Sequence, residues 1–471
     1  MTMPPITVNW SLLQNSLFVA CISTFLSLVL GQMMAMWISC SASAMRRCLL
    51  IVTVVVLVLP PFLIVNSWID LFGRTGSLHL WLPFELYSLA GTVALLALMH
   101  WPITTLLVYS SWRQLDPELS EIDPELTGLP FFKHLLLPGS QVAWAQSAAL
   151  IFVLAMNQFS IPAILQVKVY PAELWVQFNT TFNYVEALKL SWPMLVFPLL
   201  LITLLARKPI SWPQGLREWD HKNFRRLIGS LRWVATGVSV GLIALALALP
   251  LGQLVLSSGT WEHLSTAFAA GQSAFWHSLI LASGSALLVL SLGWVTSKSR
   301  WGALGWPFFF LPGVLIGILL IFLLNRNATR GVYSGVTVLF IGLALRYFAP
   351  AWYGARLIRR GMDRDLVDAG RLGGASGWQR WTLVDWPLVR PQMLALAYVI
   401  YLLCLWDVET INLIVPAGGE TLALRIFNLL HYGHNEQVNA LCLLLLLIAV
   451  IPLILGMTAG FVAARLRKEA V

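Results

Sequence analysis

The chain has 471 residues, 58% hydrophobic and 11% charged, with a mean hydropathy of +0.77. Soluble domains carry about 25% charged residues, so a water-soluble globule of this composition is excluded, because it would expose an apolar surface. The net charge of +9 does not point to a nucleic acid, because the basic residues fall in short loops between apolar runs, where they set membrane topology.

Eleven apolar spans are predicted, near 12–37, 48–70, 86–110, 141–164, 190–206, 232–256, 273–297, 303–325, 333–355, 392–414 and 438–464. Most reach the roughly 20 residues that cross the hydrocarbon. The fifth is short and contains Pro193 and Pro198, and Pro60–Pro61 should kink the second. The 22 Trp suit interfacial anchoring. Residues 1–10 are uncharged and the first apolar run is too long for a signal peptide, so no cleavable signal is expected. Cys21, Cys404 and Cys442 lie in apolar stretches, and Cys40 and Cys48 flank a basic loop, a distribution that makes no disulfide framework.

With eleven spans, 23 of the 30 Lys and Arg fall on one side, chiefly in 207–232 and 356–391. That side is cytoplasmic by the positive-inside rule, which puts the N-terminus outside and the C-terminus inside a multi-pass inner-membrane protein.

The chain repeats internally. Asn15-Ser16-Leu17 matches His277-Ser278-Leu279, and Gly31 matches Gly293, at an offset of 262. Asp116-Pro117-Glu118-Leu119 matches Asp363-Arg364-Asp365-Leu366 at 247, and Pro138 matches Pro387 at 249. The ordered offsets predict an all-α membrane bundle of two parallel repeats related by a pseudo-twofold axis: 1–206, a cytoplasmic linker at 207–231, and 232–471 with one extra leading helix.

The second long cytoplasmic loop is the most informative segment. Asp363 or Asp365 can cap a first helix, Gly373-Gly374 can end it, and Ser376 can cap a second. Pro387 and Pro391 then set the angle into the next span. Ala369 and Gly370 give a small-residue face on which a partner can approach closely. Asp368, Ala369, Gly370, Gly374, Val384 and Pro387 fill the pattern E-A-A, three residues, G, nine residues, I-x-L-P with every spacing kept. Asp, Gly and Trp386 stand in for Glu, the second Ala and Leu. The loop thereby resembles the coupling-loop signature of binding-protein-dependent ABC permeases, and the chain looks closest to the fused permeases of the iron(III) and thiamine importer group. The resemblance implies a coupling helix lying in a groove of a separate ATPase subunit, a helix-in-groove contact. It also implies two ATPase copies holding ATP-Mg, and an external solute-binding protein. The first loop is a degenerate copy. Glu121 takes the acidic place, Gly128 lies in a changed Gly-Leu-Pro context, and Leu135-Leu136-Leu137-Pro138 supplies the end; Glu121 to Pro138 is 17 residues against 19 from Asp368 to Pro387.

The chain contains no Gly-Lys dipeptide and so no Walker A loop; no cofactor and no enzymatic activity are expected of it. His431-x-x-His434 has metal-like spacing but falls in an outer loop. Asp407 and Glu409 close the tenth span, roughly 22–25 Å from its cytoplasmic end at 1.5 Å per residue. A carboxylate in lipid is costly, so it needs a cavity or a partner. With Gln158, which the repeat places opposite Asp407, and its neighbour Asn157, they could line the translocation path; pairing with Arg346 is the alternative. An ion-coupled secondary transporter using Asp407 and Glu409 as a relay is the competing reading, but such a protein has no need of the spaced loop at 368–387.

Overall fold

The computed structural model describes residues 9–74, 76–79, 85–115, 126–205, 221–362, 364–432 and 437–469. Among the described residues every regular element is helical, as a chain must be when its backbone polar groups are satisfied within each span. Two compact units are formed, Met1–Glu262 with Leu430–Asn439, and His263–Leu429 with Ala440–Val471.

The first unit opens with α1 (Trp10–Cys40), capped by the Asn9 carboxamide, which accepts from the Leu12 amide. Helices α2 (Ser43–Val58) and α3 (Pro61–Phe72) form one interrupted span, bent by 87° at Pro60–Pro61. The kink expected there is thus a sharp turn, because Pro61 brings no N–H to continue the ladder of α2 but suits the first position of a new helix. Then come α4 (Leu89–Trp112), α5 (Gln141–Asn157), α6 (Tyr170–Thr181), α7 (Trp192–Leu205), α8 (His221–Ile228) and α9 (Leu231–Leu256). Helix α9 packs along α1 within this unit, so the leading helix of the second sequence repeat makes its contacts with the first.

The second unit holds α10 (Leu264–Thr296), then the helical pair Trp301–Phe310 and α11 (Gly313–Leu324), bent by 111°. It continues with α12 (Thr337–Arg360), α13 (Arg364–Leu372), α14 (Trp386–Leu405), α15 (Leu422–His431) and α16 (Val438–Glu469). The segment Leu430–Asn439 joining α15 to α16 belongs to the first unit.

Among the described residues seven helices are long and apolar enough to span, or ten with each bent pair taken as one. The expected span at 190–206 corresponds to α7, whose 14 residues are too few to cross the hydrocarbon untilted.

The repeat is visible as packing. Helices α4 and α12 are each 24 residues long, with Pro102 and Pro350 at the same place in them. The Ser16 hydroxyl accepts from the Tyr170 amide at the start of α6, and the Ser278 hydroxyl accepts from the Leu422 amide at the start of α15, both at 2.8 Å. A helix's first amides have no intrahelical partner, and in each unit the repeated serine supplies one. A Cβ on Gly31 would stand 2.6 Å from the Trp101 carbonyl oxygen of α4, and one on Gly293 would stand 2.9 Å from the Ala351 carbonyl carbon of α12. Both glycines therefore permit the same close crossing of helix backbones, the role small residues take in membrane bundles.

Candidate functional site

The loop at 364–387 folds as its local chemistry dictates. Helix α13 stops where the Gly373 amide donates to the Ala369 carbonyl, and Gly374 follows in the left-handed region at φ +74°, a conformation that glycine adopts without steric cost. Ser376 then makes a full capping box: its hydroxyl accepts from the Gln379 amide, and Gln379 Oε1 accepts from the Ser376 amide at 2.9 Å. Asp363 lies outside the described residues. The short helix Gly377–Arg380, a π-turn over Trp381–Asp385 and α14 run on as one 29-residue rod, Gly377–Leu405. The angle expected from Pro387 and Pro391 is therefore absent. The π-turn widens the ladder just ahead of Pro387, so that the prolines fit inside a continuous helix, and insertions of this kind are enriched at functional sites. Val384 lies within that turn, and Arg380 pairs with Asp385 at 3.5 Å.

This loop exposes large apolar side chains. Leu372 is 89% exposed, Trp378 74% and Leu383 73%. Asp368 and Ala369 are exposed beside them, and a Cβ on Gly374 would meet nothing within 4 Å. Large apolar side chains gathered on one short loop mark a surface that a partner covers.

The first loop shares one device and differs in another. A π-turn over Phe132–Leu136 precedes Pro138 just as the second precedes Pro387, at the same offset of 249. Gly128 is left-handed at φ +67°, and Leu135 is half-buried within the turn. After Gly139 the chain breaks, and Leu129–Gly139 meets α5 at 69° instead of running on. Glu121 lies outside the described residues. Helix α8 braces this loop: the Gly128 amide donates to the Leu227 carbonyl at 2.6 Å, and Phe224 sits among Trp112 and Phe131 with ring centroids about 6 Å apart. Its apolar residues Phe224, Leu227 and Ile228 are buried while Arg225 and Arg226 are exposed. The linker expected at 207–231 thus contains a packed helix, which the i, i+3, i+4 apolar spacing of Phe224, Leu227 and Ile228 signals.

The buried acids of the second unit are paired. Helix α14 ends at Leu405, short of the expected 414, because Asp407 Oδ1 accepts from the Thr410 amide at 2.7 Å and turns the chain. Arg346 of α12 reaches Asp407 at 3.1 Å and Glu409 at 2.7 Å, and the Tyr347 hydroxyl donates to Asp407 at 2.8 Å. The Asp407 side chain is wholly buried. Pairing with Arg346 is thus the contact made, and a guanidinium already occupies the place where a cationic solute would bind these two acids. In the first unit Asn157 ends α5, and the Gln158 carboxamide donates to Ser160 Oγ at 2.8 Å. Leu98 stands at the position of Arg346 when the prolines of α4 and α12 are aligned. His434 lies outside the described residues, and among them no group of three metal-ligating acids, His or Cys occurs.

No protein-family model matches the chain. It is similar to an Fe(3+)-transport system permease of Haemophilus influenzae, at 20% identity over 85% of this chain and 80% of that protein. It is also similar to a thiamine transport system permease of Salmonella typhimurium, at 24% identity over 94% of this chain and 88% of that protein. A putative 2-aminoethylphosphonate transport system permease of Salmonella typhimurium aligns over 79% of its own length but 45% of this chain, at 26% identity, as expected where one repeat here corresponds to a whole protein there. The chain is thus similar end to end to transport-system permeases, and its helical membrane fold, whose two units repeat the same contacts, fits a permease subunit of two repeats.

Proposed function

We propose that the chain forms the membrane path of an importer and that the loop at 364–387 transmits the work of a separate ATPase to it. The observation that carries this reading is the loop itself: a short helix stopped by a left-handed glycine, a second helix fixed by a capping box, Leu372, Trp378 and Leu383 left exposed, and a continuous rod from Gly377 into a span. A push on such a rod moves the span as one body. Asp368, Ala369, Gly370, Gly374, Val384 and Pro387 belong to the docking element, and Gly128, Leu135 and Pro138, with Glu121, to its counterpart in the first repeat. Two ATPase copies, one for each loop, hold the ATP-Mg, and an external binding protein delivers the solute. The repeats run 1–206 and 232–471, joined by 207–231, with the N-terminus outside and the C-terminus in the cytoplasm of a bacterial inner membrane. Asn157 and Gln158, with Asp407 and Glu409 held by Arg346, stand at equivalent turns and form the rim of the path. The names of the relatives similar over most of the chain give two solutes, Fe(3+) and thiamine, and uptake of each by cells expressing the whole transporter decides between them.

Replacing Ala369 with Glu, or Leu372 with Asp, puts charge on the docking face without touching a buried residue. Co-purification of the ATPase and solute-stimulated ATP hydrolysis should both fall at least tenfold while the permease remains inserted. Normal stimulation in both variants would dismiss the assignment.

A further inference from the structure

The two bent spans are alike in backbone and opposite in chemistry. Helices α3 and α11 are both 12 residues long, and both follow a proline N-cap, Pro60 and Pro312. In α11 every residue is Gly, Val, Leu, Ile or Phe. A half-helix in this place thus forms without polar side chains. In α3 the positions equivalent to Ile318, Leu319 and Phe322 are Asn66, Ser67 and Asp70. Buried polar groups that the fold does not require carry a cost, and inside a membrane protein they mark function by default.

These residues gather a carboxylate and three carboxamides. The Asn66 carboxamide nitrogen donates to Asn439 Oδ1 at 2.6 Å and to Asp70 Oδ2 at 3.4 Å, and Asn439 donates to the same Asp70 oxygen at 3.2 Å. The Gln253 side chain of α9 lies beside Asp70. Asn66 is fully buried, yet its Oδ1 has no donor. Among the described residues Asp70 makes no salt bridge, in contrast to Asp407. A carboxylate without a cation and a buried amide oxygen without a donor are both short of positive charge. The cluster is remote from the first loop. Helix α9 starts beside the first loop, where Gly229 lies against Gly128, and Gln253 is roughly 33 Å further along it at 1.5 Å per residue.

We infer that Asp70, Asn66, Asn439 and Gln253 form a binding site for one monovalent cation, an alkali ion or a protonated amine. One carboxylate matches one positive charge, and oxygen donors suit a hard cation or an N–H donor. Rotating the terminal amides of Asn66, Asn439 and Gln253 exchanges their nitrogens for oxygens without moving the backbone. The filled site would then present four oxygens, and the present arrangement is the one the amides take around the bare carboxylate.

The test uses the purified full-length chain in nanodiscs, without ATPase, so its outcome is separate from that of the coupling-loop assignment. Thermal unfolding is followed in sodium, potassium or methylammonium chloride, each titrated against N-methylglucamine chloride at constant ionic strength. A saturable rise in Tm is expected in wild type, abolished by Asp70→Asn and weakened at least tenfold in apparent affinity by Asn439→Ala. A rise with sodium or potassium assigns an alkali ion, and one with methylammonium alone assigns an amine. Glu420→Gln, at a partly exposed carboxylate of the other unit, should keep the response and serves as the control for altered stability. No response to any of the three cations in wild type, or an unchanged response in Asp70→Asn, overturns the proposal.

Discussion

Replacing Arg346 with Met tests how the buried acids of the second unit are held. The substitution keeps an unbranched apolar stem but removes the guanidinium that contacts Asp407 at 3.1 Å and Glu409 at 2.7 Å. Arg346 is 11% exposed, Asp407 0% and Glu409 9%, so neither carboxylate can turn to water. Breaking a buried pair on one side costs about 3–5 kcal/mol, because it leaves an uncompensated charge. Both acids lose the guanidinium, but Asp407 keeps its bonds from Tyr347 and from the Thr410 amide, so the same range applies. At about 1.4 kcal/mol per tenfold, the folded fraction should fall by roughly two to three and a half decades. The assay is size-exclusion chromatography of a fluorescent fusion after heating, read as the loss of the monodisperse peak. The triple variant Arg346→Met, Asp407→Asn, Glu409→Gln should recover most of the loss, since replacing a buried ion group by neutral partners is often harmless. If Arg346→Met is as stable as wild type, or the triple variant no better than the single one, the acids are held by something other than this pair.

Gly374→Ala should cost about 1 kcal/mol in the loop through the left-handed backbone at φ +74°; ATPase stimulation should drop while the melting of the permease stays near wild type. Ser16→Ala and Ser278→Ala should each destabilise by about 1–3 kcal/mol, since each leaves a buried amide, of Tyr170 or Leu422, without its acceptor; thermal melting reads this, and a neutral result for both would remove the repeated cap. Gly31→Val should abolish a stable fold, because a Cβ there already falls 2.5 Å from Thr104 Cβ, and chromatography would show aggregation. In a cysteine-free background, Arg225→Cys, on the exposed face of α8, should resist an impermeant thiol reagent in intact cells and react in inverted vesicles; labelling from outside would reverse the topology.

The sequence by itself determined the features that depend on neighbours a few residues away. Apolar runs located the spans, and Gly373, Gly374 and Ser376 announced the stop and restart of the second loop, because caps and left-handed turns are built from residues three or four apart. The repeat was legible in Ser16 and Ser278, and in Gly31 and Gly293, although nothing local said what they touch. Tertiary structure alone decided that the serines cap helices some 150 residues away, that α9 packs with the first unit, and that Leu430–Asn439 joins it. It also brought Arg346 to Asp407 from 61 residues away, and it put Asn66, Asp70 and Asn439 together across 369 residues or more of chain. A charged or amide side chain in an apolar span declares that it needs a partner, since lipid offers none. Which partner it finds depends on how helices pack, a long-range choice that hydrophobic periodicity does not encode.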